Sequence, residues 1–441
     1  MPPWGVRPYP LHGSDTRDEA ASLAGVLLEA GRRAGLVSVG TAPVAVFAAT
    51  RGHLERRKRH GLHGGMQFTY RNPERSTDPA RLLDGARSLV VGAWAYAASS
   101  SGAPARPEDR IGQATVHPRG RVARYAVRDH YRDLAAALHV VAAVLTAAGW
   151  RARVVVDDNG LVDREAARQA GVGTYGKNTL LLVPGYGSWC LIGTVVTDAP
   201  LGIRWSADSG NGARARRLEH GCGRCTACLD ACPTGALVAP GVLDARRCLA
   251  WLLQAGGTFP PALRTALGDR LYGCDTCQEV CPVNRVAGRR SAREGSSGCS
   301  PSGGSPSDAP DSVAVGSSVA DAGGDVPVTV DLDLVELLEA PDEVVMARVG
   351  RWYVADRDPA VVRRNALVVL GNVGRADDAA VRRVVGAYCD HPDPVLREHA
   401  EWAARRLGLA GAPTAGTPTA GVPVALGATG RTDRAAGAGA A

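Results

Sequence analysis

The sequence predicts an α+β protein organised around a bacterial two-cluster ferredoxin-like module, and three observations carry that expectation. Residues 1–212 mix short strand patterns with amphipathic helical ones. Two cysteine runs then lie between Cys222 and Cys281. Beyond a Gly/Ser/Pro/Asp-rich stretch, purely helical patterning resumes at Leu332. At 441 residues the chain is long enough for two or three domains. The expected divisions are a mixed α+β domain at 1–212, the cysteine module at 213–286, a flexible linker at 287–330, a helical domain at 331–408 and a disordered tail at 409–441.

In chain order, residues 17–34 have helical spacing, and Leu36–Val39 and Val44–Phe47 read as strands. Arg51–His60 puts seven basic or histidine residues into ten, usually a solvated helix face and less often a phosphate contact. Gly61-Leu62-His63-Gly64-Gly65-Met66 is a loop that allows close backbone approach, and its His63 reads equally as a satisfied loop histidine or as a contact to a bound molecule. Ser88–Tyr96 is a buried strand, and Arg128–Trp150 a helix with Leu134, Leu138, Val141 and Leu145 on one face. A strand at Val154–Val156 ends on Asp157-Asp158-Asn159-Gly160, a polar cluster at a strand's carboxyl end, where α/β layers place binding groups. Asp163–Ala170 is helical, Gly171–Asn178 a loop, and Leu180–Val183 and Trp189–Asp198 are strands. Near the end, Asp358-Pro359…Arg363-x-x-Ala366 recurs as Asp393-Pro394…Arg397-x-x-Ala400, which reads as a short helical repeat of the HEAT kind.

The cysteines carry the chemistry. Cys222-x2-Cys225-x2-Cys228-x3-Cys232-Pro233 is the spacing of ferredoxins that hold two cubane clusters, in which the fourth thiolate crosses to the other cluster. The second run, Cys274-x2-Cys277-x3-Cys281-Pro282, is one cysteine short, and Cys248 between the runs closes the count. One [4Fe–4S] cluster is therefore assigned to Cys222, Cys225, Cys228 and Cys281, the other to Cys232, Cys248, Cys274 and Cys277. Zinc clips use paired C-x2-C steps and fit a three-deep run badly. Disulfides suit secreted chains, which this does not resemble. Cys190, Cys299 and Cys389 fall outside the count, with Cys190 expected as a small buried apolar residue.

The net charge of +7 weakly favours an anionic partner, and Arg-rich composition alone explains much of it. Arg32-Arg33 before an apolar-leaning segment superficially suggests twin-arginine export, but Gly40, Pro43 and the charged run after Ala49 argue for folded core. No stretch reaches transmembrane length, so a cytoplasmic protein is expected.

Taken together these motifs resemble the epoxyqueuosine reductase family, cobalamin-dependent enzymes of tRNA queuosine synthesis. The resemblance rests on Cys222–Pro233, Leu243–Cys248, Gly268–Pro282, Gly61–Met66, Gly120–Tyr125, Gly176–Asn178, Gly187–Trp189 and Arg364–Leu367, and covers about residues 17–408. It implies that the first domain binds cobalamin with its lower base detached. The two [4Fe–4S] clusters would pass electrons singly to cobalt, and the epoxide oxygen would leave as water. It also implies an aspartate acid at a strand end, followed by an acid–Arg pair. Asp157, before Asp163-Arg164, is the matching residue, though Asp158 next door leaves an ambiguity that an Asx turn would resolve. A free aspartate carboxyl titrates near ~3.9, so such an acid needs burial to act at neutral pH. Lys177, Asn178, Ser188, Arg124 and Tyr125 match positions near the cobalamin. The partners implied are the tRNA anticodon stem-loop and an external electron donor such as flavodoxin or ferredoxin, with the chain a monomer. Arg119, Arg121, Arg128, Arg214, Arg216 and Arg217 are candidate phosphate contacts. Two alternatives stay open: a cobalamin reductase of another substrate, as reductive dehalogenases are, and an electron relay without corrin.

Overall fold

Leu134, Leu138, Val141 and Leu145 recur at helical spacing, and burying that stripe requires a sheet. The computed structural model, which describes residues 16–96, 117–202, 204–205, 222–285, 331–350 and 352–409, supplies one. Strands β1 (Ser38–Pro43), β2 (Ser88–Ala95), β4 (Ala152–Val156), β7 (Cys190–Thr197) and β8 (Arg204–Trp205) form a sheet in the order β4-β7-β2-β1-β8, with every pairing antiparallel. Helices α1 (Thr16–Arg33) and α4 (His130–Ala147) cover one face through Leu27, Leu134, Leu138 and Val141, against Val90 and Val195. Helix α5 (Asp163–Gln169) covers the other, where Ala166 and Ala167 meet Leu89, Val91 and Val196. Adjacent residues of β2 and β7 thus enter opposite cores, the signature of a sheet buried on both sides. Gly40 permits the closest approach: a Cβ there would run into the carbonyl of Ala170.

Two strand expectations change. Val44–Phe47 is not a strand, because Pro43 ends the pairing and the Phe47 N–H is taken by the Thr77 carbonyl at the start of α2 (Ala48–Arg59). The expected loop Gly171–Asn178 contains β5 (Thr174–Tyr175), which pairs with β6 (Leu181–Leu182). Since the large sheet is antiparallel, the strand-end rule of parallel α/β sheets does not account for the position of Asp157.

Strand β3 (Arg119–Val122) leaves this domain to sit between β11 (Arg270–Tyr272), which it pairs in parallel, and β12 (Asp331–Asp333), antiparallel. Three remote segments therefore share one small sheet. The cysteine segment contributes α6 (Ala227–Asp230), the hairpin β9 (Leu237–Ala239) and β10 (Val242–Leu243), α7 (Leu249–Leu252), α8 (Pro261–Leu267) and α9 (Thr276–Glu279). Helices α10 (Leu334–Glu339), α11 (Asp342–Val349), α12 (Pro359–Val373), α13 (Ala379–Cys389) and α14 (Pro394–Leu407) complete the described chain. Leu271 and Tyr272 of β11 lie in the same core as Leu334, Val361, Val384 and Leu396.

The recurring Asp-Pro pairs are helix starts. Asp358 Oδ1 accepts from the Ala360 N–H (2.9 Å) and Asp393 Oδ1 from that of Val395 (2.7 Å), with Pro at the first helical position. Arg364, on α12, is 1% exposed and donates to the carbonyls of Leu252 (2.9 Å), Ala255 (2.8 Å) and Gly257 (2.6 Å). Asn365 adds a bond to Leu253 O (2.8 Å), so α12 fastens the turn that follows Cys248. Arg32 and Arg33, read above as a possible export signal, end α1 and pair with Glu29. Among the described residues no helix is long and apolar enough to cross a membrane. The expected linker, the tail beyond Leu409 and Cys299 lie outside the described residues.

Candidate functional site

Short elements bring the thiols together from distant sequence. The loop before α6 and the turn after α9 converge, so that Cys222, Cys225, Cys228 and Cys281 line one cavity, closed by Leu182 and Pro282. Lys177 grips its rim. Its amide donates to Cys222 Sγ (3.3 Å), and its ammonium donates to the carbonyls of Gly223 (2.7 Å) and Cys225 (2.9 Å). Asn178, buried on the same wall, folds its Oδ1 onto the Leu180 N–H (3.2 Å).

The remaining thiols form a second group. Burial pushes the Cys248 thiol up to about 11, with Cys274 and Cys232 close enough to add to the effect. Burial, then Cys274 and Cys248, likewise raises Cys277. At Cys232 burial is outweighed by the N–H groups of Leu237, Thr234 and Ala236, which bring its thiol below the ordinary range. Among the described residues no three His, Cys, Asp or Glu side chains close on a single ion. The first four thiols instead ring a cavity, which fits a cubane whose thiolates each reach a different iron.

The other nominated residues fall into two places. Arg124 and Tyr125 border the second thiol group. The Arg124 N–H donates to Asp275 Oδ2 (2.8 Å), its guanidinium lies 4.8 Å over Trp189, and the Tyr125 hydroxyl accepts from Gln254 Nε2 (3.2 Å). Ser188 is committed internally. Its Oγ accepts from Asn284 Nδ2 (2.8 Å) and Gln278 Nε2 (3.2 Å), and its N–H donates to Asn284 Oδ1 (2.8 Å). Ser188 thus lies in a buried joint between the sheet domain and the cysteine segment. Cys190 is half-buried in β7, and burial alone pushes its thiol well up.

Asp157 stands at the end of β4, exposed, with a left-handed backbone (φ 52°) that non-glycine residues seldom adopt. Asp158 makes the Asx turn instead, its Oδ1 accepting from the Gly160 N–H at 2.6 Å. The sequence marks Asp163 only as half of the acid–Arg pair that the resemblance implies, not as an enclosed acid. Its Oδ1 is enclosed without a hydrogen-bond partner, and burial, then the neighbouring Asp157, holds its carboxyl well above the usual range. An acid in the first turn of a helix is so readily explained by the helix dipole that its enclosure has no mark in the sequence. Arg164 then donates to Thr179 O (3.2 Å), which ties the Asp157 loop to the Lys177–Asn178 wall of the first thiol cavity.

Three of the arginines nominated for phosphate are occupied. Arg121 pairs with Asp269 and Glu279, Arg128 with Asp133, and Arg119 donates to Asp331 O. Arg214, Arg216 and Arg217 lie outside the described residues.

Residues 221–284 match a family described as a 4Fe-4S double cluster binding domain. An epoxyqueuosine reductase of Pseudomonas aeruginosa is 31% identical over 413 residues, covering 91% of this chain and 99% of that protein. The chain belongs to the epoxyqueuosine reductase family. A second epoxyqueuosine reductase, of Burkholderia pseudomallei, is 33% identical over 421 residues, 88% of this chain and 93% of that one. Among solved structures, an epoxyqueuosine reductase with an epoxyqueuosine-modified tyrosine tRNA stem loop superposes with a TM-score of 0.68 at 28% identity, over 88% of this chain and 91% of that one. The Bacillus subtilis epoxyqueuosine reductase, solved with its catalytic aspartate loop swung out of the active site, gives 0.67 at 28% identity over the same shares.

In this member of the epoxyqueuosine reductase family Asp163, half-buried with its Oδ1 enclosed, is a stability liability. Its folded-state carboxyl titrates above its unfolded value, so the native state holds the extra proton and stability falls as pH rises from the unfolded value through the folded one. Asp163→Asn is expected to raise the melting temperature at pH 8. The gain should vanish near pH 3, where both states are protonated, and thermal melts of the two proteins across that range check it.

Proposed function

We propose that this chain reduces epoxyqueuosine to queuosine in the anticodon loop of tRNA, with Asp157 supplying the proton that leaves with the epoxide oxygen. Two electrons and two protons are taken up, both C–O bonds of the epoxide break, and an alkene and water result. The observation that carries the reading is end-to-end similarity to epoxyqueuosine reductases in a chain whose Asp157 loop is hydrogen-bonded to a thiol-lined cavity.

When bound, two [4Fe–4S] clusters and a cobalamin supply single electrons and a low-valent nucleophilic metal. The chain's own residues do the rest. Cys222, Cys225, Cys228 and Cys281 hold one cluster, and Cys232, Cys248, Cys274 and Cys277 the other. Backbone amides donate to the sulfurs of Cys222 and Cys232 and fix their orientation, and the Lys177 ammonium fixes the first loop. Two orphaned polar atoms, Oδ1 of Asp163 and Nδ1 of His63 in the glycine loop, are available to a bound organic cofactor or substrate with its own donors and acceptors. Arg124 and Tyr125 lie toward the second thiol group, where they support the approach to the corrin. Asp157, exposed on a strained kink, can close over the substrate and withdraw. A swung-out aspartate loop is the state named for the Bacillus subtilis relative.

In the same reading, α10–α14 are a HEAT-like repeat unit that extends the RNA surface, and the sequence divisions given above are the functional ones. An external flavodoxin or ferredoxin serves a monomeric enzyme in the cytoplasm.

Anaerobic turnover on anticodon stem-loop RNA carrying epoxyqueuosine tests the reaction. Loss of one oxygen from the modified nucleoside by mass spectrometry is expected, and recovery of unreacted epoxide would overturn it. For the ligand assignment, Cys248→Ala is expected to lower iron from about eight to about four per chain in anaerobically prepared protein while the first cluster's spectrum persists. Undiminished iron would remove Cys248 from the set.

A further inference from the structure

Helix α2 carries a charge surplus that the protein itself does not use. Arg56, Lys58 and Arg59 are exposed, and Leu54 is the helix's only buried residue. Among the described residues none of Arg51, Arg56, Arg57, Lys58 and Arg59 forms an ion pair, although Arg32, Arg81, Arg121, Arg128, Arg151 and Arg246 elsewhere all do. Among the described residues Glu55, one turn before Arg59, is not drawn into a pair either. Two of the cations serve as tethers: Arg51 reaches Thr77 Oγ1 (3.1 Å), and Arg57 donates to Gly241 O (2.7 Å) in the β9–β10 turn. Arg56 bonds the His53 ring (2.8 Å), whose pKa is lowered by burial and then by Arg56 and Arg57.

The helix dipole favours cations at this end, but like charges a turn apart offset part of that gain. Capping therefore explains one or two of these residues, not four in succession without a carboxylate partner. The surroundings point to a nucleic acid. Lys58 Nζ reaches Arg71 O (3.5 Å), so the end of the helix meets the 67–71 turn, where Phe68 stands 41% exposed. Basic side chains beside an exposed aromatic ring are what an RNA backbone with an unstacked base requires. On its other side α2 packs against α3 (Pro73–Ser76), and Ser76 O accepts from the Val162 N–H (2.9 Å) in the loop between Asp157 and Asp163.

We infer that the exposed face of α2, through Arg56, Lys58 and Arg59 with Phe68 at its edge, docks the phosphate backbone of the RNA whose modified nucleoside enters beside Asp157. The inference rests on the RNA substrate of the proposed function and adds the surface that holds it.

The test uses cluster-loaded, full-length protein and an anticodon stem-loop RNA without the modification, so it does not depend on the reaction. Binding is measured over a series of salt concentrations for the parent, for Arg56→Gln/Lys58→Gln/Arg59→Gln, and for Phe68→Ala. A matched control, Arg32→Gln/Arg33→Gln, sits on α1, across the sheet from α5. With about 0.7 released counterions per single-strand phosphate, the triple variant should lose about 2 from the slope of log K against log salt. At moderate salt its affinity should fall tenfold or more, and the control should keep the parent slope. An unchanged slope in the triple variant overturns the inference, as does an equal loss per charge in the control. So does a triple variant that binds RNA normally but is reduced slowly by flavodoxin, which would make α2 a face for an acidic protein. Parent protein that binds RNA with this slope yet never turns over epoxyqueuosine would sink the proposed reaction and leave the surface standing.

Discussion

Asp157→Ala is expected to abolish turnover, by a hundredfold at the least, while iron content and the bound-corrin spectrum stay at parent levels. General acid catalysis by a positioned side chain is worth 10²–10⁴-fold, and breaking a C–O bond toward an alkoxide depends on that proton strongly. The loop geometry allows a clean separation of chemistry from folding. Asp157 occupies left-handed backbone, so Asp157→Gly should relax the kink and match or exceed the parent in melting temperature while being as inactive as the alanine variant. Asp158→Asn should retain most activity, since an amide oxygen can still accept from the Gly160 N–H. Single-turnover measurements under anaerobic conditions decide the matter. A fully active Asp157→Gly would mean that the proton comes from elsewhere.

The second large effect is expected far from the acid. Arg364→Met should destabilise the fold by about 4 kcal/mol and lower iron, with the second thiol group emptied first. The guanidinium is buried with no carboxylate, and burial, then Arg264, lowers its pKa to about 10, so it remains charged at neutral pH. Its charge is held by the carbonyls of Leu252, Ala255 and Gly257 and by Asn365 Oδ1 (2.7 Å). Removing it takes the donor from the buried Asn365 Oδ1 and from three carbonyls that are only partly buried, at roughly 1–3 kcal/mol for each acceptor water does not reach, partly recovered by the apolar replacement. Those carbonyls belong to the turn just after Cys248, so the cysteine should lose its position with them. Arg364→Lys should not rescue, because one ammonium cannot reproduce the planar fork. Denaturant melts paired with iron analysis check this; normal iron and stability in Arg364→Met would refute it.

What could be read beforehand followed the range of the interactions. The cysteine runs are legible because ligand loops are local, and Cys248 by arithmetic. The face of α4 was legible because 3.6-residue spacing is local too. Partners remote in sequence were not. Arg121 reads as available in the sequence, yet Asp269 and Glu279, about 150 residues away, lie beside it, and the partners of Ser188, Gln278 and Asn284, are as remote. The basic run at Arg51–His60 drew little weight for the opposite reason: a charge surplus is informative only once the absence of ion pairs around it can be seen. Asp163 is legible in the sequence as half of an acid–Arg pair, but its enclosed Oδ1 is not, since that depends on contacts made only in the fold.

The small sheet in which β3 lies between β11 and β12 has a consequence for biogenesis. A ribosome must release Asp331–Asp333 before β3 has both of its neighbours, by which time all eight cluster cysteines have already emerged. A product that stops short of Asp331 but carries those eight thiols is therefore expected to leave one edge of β3 open, beside the strand that leads into Cys274.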